Sequence, residues 1–151
     1  MIAKQTTRLL ALIAGTALAA PSAGQSTSKT PDIIFDGAAV DLADLKWERR
    51  PLIVFGDSPN DPRFLQQMDF LEERLADLET RDVIVLTDTD PGGDSELRKK
   101  LRPRGFMIAL IGKDGVVFLR KPLPWDVREL TRAIDKMPLR QREIQERRGA
   151  S

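Results

Sequence analysis

The sequence of 151 residues contains no cysteine and no histidine. Without cysteine there is no disulfide, no thiolate nucleophile and no cysteine-ligated zinc or iron–sulfur cluster. Without histidine, imidazole acid–base chemistry and histidine metal ligation are also excluded. The chain is therefore neither a thiol–disulfide oxidoreductase nor a thiol peroxidase.

Neither sign of charge is in excess, since 24 lysines and arginines face 23 aspartates and glutamates. Setting aside Lys4 and Arg8, near the N terminus, leaves 22 basic residues against 23 acidic ones. A general nucleic-acid binder needs a net basic surface to neutralise phosphates, so we expect no nucleic-acid partner. Hydrophobic residues make up 41% of the chain, enough for one folded domain.

The N-terminal region has the pattern of a secretory signal peptide. Lys4 and Arg8 precede an apolar run of twelve residues, 9–20, and small residues follow. We predict cleavage after Ala19, with Gly24 as second choice because Pro21 disfavours cleavage after Ala20. A membrane span needs about 20 apolar residues, so the protein should be exported, periplasmic or secreted, with no membrane anchor after cleavage. A buried N-terminal helix is the alternative.

Two buried strands and a helix are predicted in the first half of the remaining chain. Residues 51–56 form a short apolar run that ends in glycine, and residues 82–87 hold a second apolar run, 83–86, at their centre. Asp61 and Pro62 are typical of a helix start, and leucine and methionine then recur at helical spacing. This order predicts parallel strands joined by one amphipathic helix, whose apolar face carries Leu65, Met68, Leu71, Leu75 and Leu78.

The second half predicts a short helix, a hairpin and a last helix. Asp94 or Ser95 can cap a helix that runs to about Leu101. Residues 106–111 and 116–120 flank an Asp-Gly turn, which is typical of an antiparallel hairpin. The last helix ends before Pro138 and carries one apolar face, formed by Val127, Leu130, Ile134 and Met137.

Together these elements predict an α/β fold, a thioredoxin-like β-α-β-α-β-β-α sandwich with a mixed central sheet and helices on both faces. A flavodoxin-like sheet is the alternative, but it needs more βα units than a chain of this length can hold. The predicted division is a signal peptide at 1–19, a polar linker at 20–37, the domain at 38–138 and a frayed, polar, basic tail at 139–151. Residues 38–47 are expected to add an edge strand or a short helix.

Three stretches resemble a known family: WERRPLIVF at 47–55, LIGKDG at 110–115 and IDKMPLR at 134–140. Together they are similar to the domain of unknown function 4174 family, found in exported bacterial proteins and in animal extracellular proteins with sushi repeats or a coiled-coil-containing domain. The resemblance covers about residues 38–145. It implies a thioredoxin-like fold and export, and it supplies no activity, cofactor or catalytic residue.

The chain departs from redox-active thioredoxin-like proteins at the turn after the first core strand. That turn holds the reactive cysteine in redox members, whereas residues 57–60 here read Asp-Ser-Pro-Asn. Gly105-Phe106-Met107 stands where a proline usually precedes the hairpin. Ser58 and Thr87 are hydroxyl groups with no predicted base nearby.

Acidic side chains follow both predicted core strands. Asp57, Asp61 and Asp88 lie where open α/β sheets tend to bind ligands, although aspartate is also favoured there as a helix cap or turn residue. The loop 88–94 has alternating oxygen ligands typical of calcium sites. Read as an EF-hand loop, however, it places Gly92 at a ligand position and Lys100 at the closing glutamate, so a Pro-Gly turn is the preferred interpretation.

Five cations stand within seven residues, and they could bind an anionic ligand or an acidic partner: Arg98, Lys99, Lys100, Arg102 and Arg104. Cations are also favoured at a helix C terminus, which is the alternative interpretation. Trp47 and Trp125 could mark a binding surface or close the ends of the core.

The leading functional hypothesis is a non-catalytic binding module in the envelope that holds a protein or an anionic ligand. It predicts no catalytic residue and no cofactor. The first alternative is a carboxylate- or metal-dependent enzyme that uses Asp57, Asp61 and Asp88. The second is a purely structural envelope protein.

Overall fold

A computed structural model describes residues 30–151, so the predicted signal peptide and most of the predicted linker lie outside the described residues. Two one-turn 3-10 helices, Gly37–Ala39 and Pro91–Gly93, accompany the regular elements. In chain order the regular elements are β1 (Ile34–Asp36), α1 (Leu42–Leu45), β2 (Arg50–Phe55), α2 (Pro62–Glu72), α3 (Leu75–Glu79), β3 (Val83–Asp88), α4 (Glu96–Leu101), β4 (Met107–Ile111), β5 (Val117–Lys121), α5 (Val127–Asp135) and α6 (Pro138–Gly149).

One mixed sheet organises these elements, with the strand order β1-β3-β2-β4-β5. β3 pairs in parallel with β1 and β2, while β4 pairs antiparallel with β2 and β5. Ile53 in the central strand lies opposite Leu86 on one side and Ala109 on the other. The predicted parallel pair and the antiparallel hairpin are confirmed.

The central strand β2 is buried on both faces because helices cover both sides of the sheet. Leu52 and Val54 pack in the core formed with α2, α3 and α5. Ile53 and Phe55 point to the other face, where residues of α1 and α4 pack. Successive side chains of a strand alternate between faces, so a continuous apolar run is what a strand between two helical layers requires.

The prediction of one long helix after β2 is wrong, because the chain leaves helical geometry at Arg74, which has φ −139° and ψ 35°. Two shorter helices, α2 and α3, result. Phe64, Met68 and Leu71 face the core. Leu65 lies about 100° around the helix from Phe64 and is 47% exposed. Leu65 therefore does not belong to the apolar face assigned to it.

Ordered structure extends beyond both predicted domain boundaries. β1 lies within the stretch predicted as linker, and its backbone pairs with β3. Residues 139–151, predicted to be a frayed tail, instead fall mostly in α6, where Arg140 is buried. Ion pairs between α6 and other elements stabilise this helix, and a search for hydrophobic patterns does not detect them. The region 38–47 forms the short helix α1, one of its two predicted alternatives.

Polar side chains cap the starts of α2 and α4. Asp61 Oδ1 accepts a hydrogen bond from Arg63 N at 2.9 Å, and Pro62 opens α2. Ser95 Oγ accepts one from Arg98 N at 3.2 Å, so Ser95 rather than Asp94 caps α4. Within residues 30–151, no helix has the length and apolar character to cross a membrane.

Candidate functional site

The turn after β2 carries the first predicted site residue. Asp57 is exposed, and Ser58 Oγ accepts a hydrogen bond from Asn60 N at 3.2 Å. Gly105 lies beside the turn with a φ of +71°, and a Cβ placed there would be 3.5 Å from Asp57 Oδ2. Glycine suits this position because residues with a side chain rarely adopt a positive φ. Asp57 is thus the one predicted acid that remains open to solvent.

Asp61 is 8% exposed and serves the start of α2. Burial alone would raise the pKa of this carboxyl, but hydrogen bonds from Arg63 N and Asp57 N, with the Arg63 charge, lower it below its usual value. The carboxylate is held ionised and is occupied by backbone donors. Its arrangement is that of a helix cap.

Asp88 and Arg98 form a buried ion pair across the ends of β3 and α4. Arg98 Nε lies 2.8 Å from Asp88 Oδ1, and the two side chains are 10% and 5% exposed. Arg98 also donates to the carbonyl of Gly56 at 2.9 Å and to that of Asp88 at 3.1 Å, while Ser95 Oγ donates to Asp88 Oδ2. This pair joins both core strands to α4 and leaves little of Asp88 for a ligand.

The three predicted acids do not converge on a common point. No group of three or more acidic side chains in residues 30–151 is arranged to hold a metal ion. In the loop 88–94, Asp90 Oδ1 accepts from Gly92 N at 3.1 Å, and Asp94 adopts a left-handed conformation. The Asp90 carboxylate thus serves a hydrogen bond of the turn.

The predicted basic cluster is divided among different environments. Arg98 points inward, and Lys99 pairs with Glu96 at 2.8 Å; that hydrogen bond, with nearby acidic charge, raises the pKa of Lys99. Arg102 and Arg104 are exposed and have no ion pair among residues 30–151. Lys100 is the member of the cluster that faces a cleft.

This cleft, of about 940 Å³, lies between α1, α4 and the turn of the β4–β5 hairpin. Lys46 and Arg49, which follow α1, line it together with Lys100, and all three are exposed. None of the three cations has an ion pair within the described residues. Sequence reasoning missed Lys46 and Arg49 as companions of Lys100, because they lie about fifty positions away from it in the chain.

The acidic residues of the cleft are engaged locally. Asp41 Oδ1 accepts from Ala43 N at 2.8 Å, and Asp114 Oδ1 accepts from Val116 N at 3.0 Å. Asp94 and Glu96 both pair with Lys99. Asp41 and Asp114 keep their negative charge, because a backbone N–H is neutral, so the lining holds four carboxylates beside its three cations. Lys46, Arg49 and Lys100 are the groups of the cleft that an anionic ligand would contact.

A second charged group lies where β2 and β3 begin, around the fully buried Arg50. Arg50 donates to the Arg81 carbonyl at 2.8 Å and to Glu143 Oε1 at 2.9 Å. Lys113 Nζ lies 2.8 Å from Asp82 Oδ2 and 3.0 Å from Glu143 Oε1. We call this group, with Arg140 and Asp135, the Arg50 network.

Two carboxyl groups of the Arg50 network titrate below their usual range. Burial alone would raise the pKa of Glu143, but hydrogen bonds from Arg50 and Lys113, and their charges, lower it to about 2. The paired hydrogen bond from Arg81 lowers the pKa of Asp135, with a smaller contribution from Arg140. Both carboxylates stay ionised at neutral pH.

The sheet order and the exposed turn after β2 define a protein of the thioredoxin-like class. Plasmodium yoelii Prx1a, modified at its N terminus, is a similar solved structure, with a TM-score of 0.50 and 18% identity over 64% of this chain and 77% of that one. The family described as domain of unknown function (DUF4174) matches residues 41–143, and the chain belongs to this family.

Two further solved structures have the same coverage of this chain, 64%, and TM-scores of 0.46. They are thioredoxin peroxidase I of Plasmodium yoelii, 19% identical over 76% of its chain, and the mitochondrial 2-Cys peroxiredoxin of Plasmodium falciparum, 18% identical over 79% of its chain. No curated protein matches the sequence.

The stretches that carry the family resemblance meet in the Arg50 network. Arg50 belongs to the first stretch, Lys113 to the second, and Asp135 and Arg140 to the third. Sequence reasoning placed these stretches in a strand, a hairpin turn and a helix, but it assigned no role to their charged residues. Their charged residues, far apart in the chain, are neighbours in the fold.

Proposed function

We propose that this protein is an exported, non-catalytic binding module that holds an anionic ligand in the cleft between α1 and α4. The observation that carries the proposal is the set of three exposed cations, Lys46, Arg49 and Lys100, which line one cleft and have no acidic partner among residues 30–151. Export rests on Lys4, Arg8 and the apolar run that follows them.

The lack of redox chemistry separates this chain from the peroxidases named among the similar structures. Its sequence has no thiol to oxidise, and Asp57 and Ser58 stand in the turn after β2. A shared fold does not carry a shared activity. The non-catalytic proposal is further supported by the hydrogen bonds that occupy Asp61 and Asp88.

A ligand with several anionic groups fits this cleft better than a single ion. An exposed ion pair contributes only about 0.2–1 kcal/mol, so a useful affinity needs more than one contact. Such binding weakens with added salt because exposed charges are screened. Sulfated glycans and short polyphosphates have the required chemistry.

Heparin and tripolyphosphate are suitable probes, measured by thermal unfolding and by calorimetry at low and high salt. A ligand at 100 times its Kd stabilises by about 2.7 kcal/mol and should raise the Tm of a domain this size by several degrees. We expect Lys46→Glu and Lys100→Glu to reduce that shift, and salt to abolish it. Arg142→Glu, an exposed change on α6 outside the cleft, is the matched control.

Two results would reject the cleft as the site: no shift with either anion, or an equal loss in the Arg142→Glu control. Absence of binding would favour the purely structural alternative. The enzymatic alternative now depends mainly on Asp57, since this acid alone of the three is exposed. Turnover that Asp57→Asn abolishes would support that alternative and overturn the non-catalytic proposal.

A further inference from the structure

Trp47, which follows α1, combines two features that folding alone does not favour. Its side chain is 62% exposed, whereas tryptophan is highly buried on average. Its backbone has a φ of +70°, a conformation that is strained for a bulky residue. Among the described residues, the other non-glycine positions with a positive φ hold the polar Asp82, Asp94 and Arg102. Strain of this kind is concentrated at functional sites.

The second tryptophan of the sequence, Trp125, has the role that a core requires. It is half-buried and packs against the cluster that holds Leu52 and Val54. Its backbone N–H donates to Gln67 Oε1 at 2.7 Å. Trp47 belongs to neither hydrophobic cluster of the described residues, so packing does not account for it.

Hydrogen bonds to two neighbouring elements fix the backbone at Trp47. Trp47 N donates to the Lys113 carbonyl, in the β4–β5 hairpin, at 2.6 Å. Arg49 N donates to the Leu45 carbonyl, in α1, at 2.9 Å. The backbone that carries the indole is therefore set before a ligand arrives, which lowers the entropy cost of binding.

The ring of Trp47 stands at the edge of the cleft between α1 and α4. Lys46 lines this cleft, and its Nζ lies 5.7 Å from the centroid of the ring. A cation–π contact at an exposed site is weak, so the contact with Lys46 alone does not offset the backbone strain. An anionic group bound by Lys46 would, however, bring the rest of its molecule within reach of the indole.

The lining of the cleft also offers hydrogen-bond acceptors. Asp41 and Asp114 each use Oδ1 for a backbone N–H, and their Oδ2 atoms accept no hydrogen bond within residues 30–151. Hydroxyl groups can donate to these oxygens, whereas an ionised phosphate chain has no such donors and is repelled by the carboxylates. The cleft therefore suits a ligand that carries hydroxyl groups beside its negative charges.

We propose that the cleft binds an anionic glycan and that Trp47 stacks on one of its sugar rings. This inference rests on the proposed function, since it names the class of anion that the cleft takes. The acidic groups of the glycan contact the three cations, and its hydroxyl groups donate to Asp41 and Asp114. The negative face of the indole attracts the C–H groups of a pyranose ring. Trp47 thus selects a sugar polyanion over a bare polyphosphate.

Calorimetry of the full chain at low salt and neutral pH tests the role of Trp47. The probes are a heparin tetrasaccharide, which has rings and charges, tripolyphosphate, which has charges alone, and maltotetraose, which has rings alone. We expect both anions to bind and maltotetraose not to bind. Trp47→Gly should weaken tetrasaccharide binding by about tenfold and tripolyphosphate binding by less than about twofold.

Two controls separate binding from folding. Glycine adopts a positive φ without strain, so Trp47→Gly should not lower the Tm, whereas a merely structural Trp47 would make it fall. Leu123→Ala, at an apolar residue that is also 62% exposed but lies outside the cleft, should change neither affinity.

A fluorescence measurement reports on the ring itself. In Trp125→Phe, Trp47 is the remaining tryptophan of the sequence. The tetrasaccharide should change its emission more than tripolyphosphate does. ATP, which joins a triphosphate to an aromatic base, tests whether the ring that stacks belongs to a nucleotide.

Four results would overturn the glycan proposal and leave an anion-binding cleft in place. They are an equal loss of both anions in Trp47→Gly, no loss of either, an unchanged Trp47 emission, and tighter binding of ATP than of the tetrasaccharide. Absence of binding by every anion would reject the proposed function as well, so the two failures are distinguishable.

Discussion

The two ends of the central sheet both carry buried charge, but they are built in different ways. Where β2 and β3 end, partners are close in the chain: Asp61 bonds to Arg63, two residues away, and Asp88 to Arg98, ten residues away. Where these strands begin, Arg50 bonds to Glu143, 93 residues away, and Arg81 to Asp135, 54 residues away. Local sequence can specify the first end, whereas only the completed fold assembles the second.

This difference implies unequal roles in stability. A broken contact between near neighbours loosens one helix start or loop, and backbone groups can still satisfy the remaining charge. A broken contact in the Arg50 network should leave a buried guanidinium without its acidic partner and weaken the attachment of α6 to the domain. The Arg50 network should therefore be the more sensitive end.

The largest expected effect is that of Glu143→Gln. It leaves Arg50 and Lys113 without their shared acid, and removing one partner of a buried pair costs about 3 kcal/mol. Urea unfolding at pH 7 measures the loss. Glu146→Gln, at an exposed position of the same helix, should change the free energy of unfolding by less than about 0.5 kcal/mol. Equal effects of the two changes would contradict the assigned role of Glu143.

Acid should reduce the contribution of Glu143. Its pKa is lowered from 4.5 to about 2 in the folded protein, so its stabilising effect is complete above pH 4.5 and is lost as the pH falls toward 2. At pH 3 about 2 kcal/mol of it should be gone. The difference between wild type and Glu143→Gln, measured by urea unfolding, should thus shrink from about 3 to about 1 kcal/mol. A difference that does not depend on pH would exclude this ionic role.

A smaller loss is expected at the other end from Asp88→Asn, about 1.5 kcal/mol, because Arg98 keeps its bonds to two backbone carbonyls. Asp57→Asn, in the exposed turn, should change the free energy of unfolding by less than about 0.5 kcal/mol. Thermal or urea unfolding of the two variants side by side gives both values. If Asp57→Asn proved the more damaging, Asp57 would have a structural partner that the fold does not explain.

The comparison also shows why parts of the structure were predictable. β2, β3, the hairpin and the α4 cap each carry a short signal, such as an apolar run, an Asp-Gly turn or a serine before a helix. The break at Arg74 has no such signal, because the leucine spacing continues through it. α6 was missed because its buried face is charged: Arg140 is a core residue only in the presence of Asp135 and Glu143.

The candidate site was predicted in part. Lys100 lines the cleft, whereas Asp61, Asp88 and Arg98 stabilise the fold. No local sequence pattern connects Lys100 with the other two cations of the cleft, Lys46 and Arg49. A cleft formed by distant segments is a property of the topology. The family resemblance pointed to the Arg50 network without stating what it does.

The pairing of Arg50 with Glu143 also bears on the order in which the chain matures. Synthesis proceeds from the N terminus, so the β2 strand is present long before its partner on α6 has been made. During that interval the Arg50 guanidinium lacks the Glu143 carboxylate and the central strand lacks a stable end. A chain interrupted before residue 143 would therefore be exposed to proteolysis, whereas the complete domain would be protected.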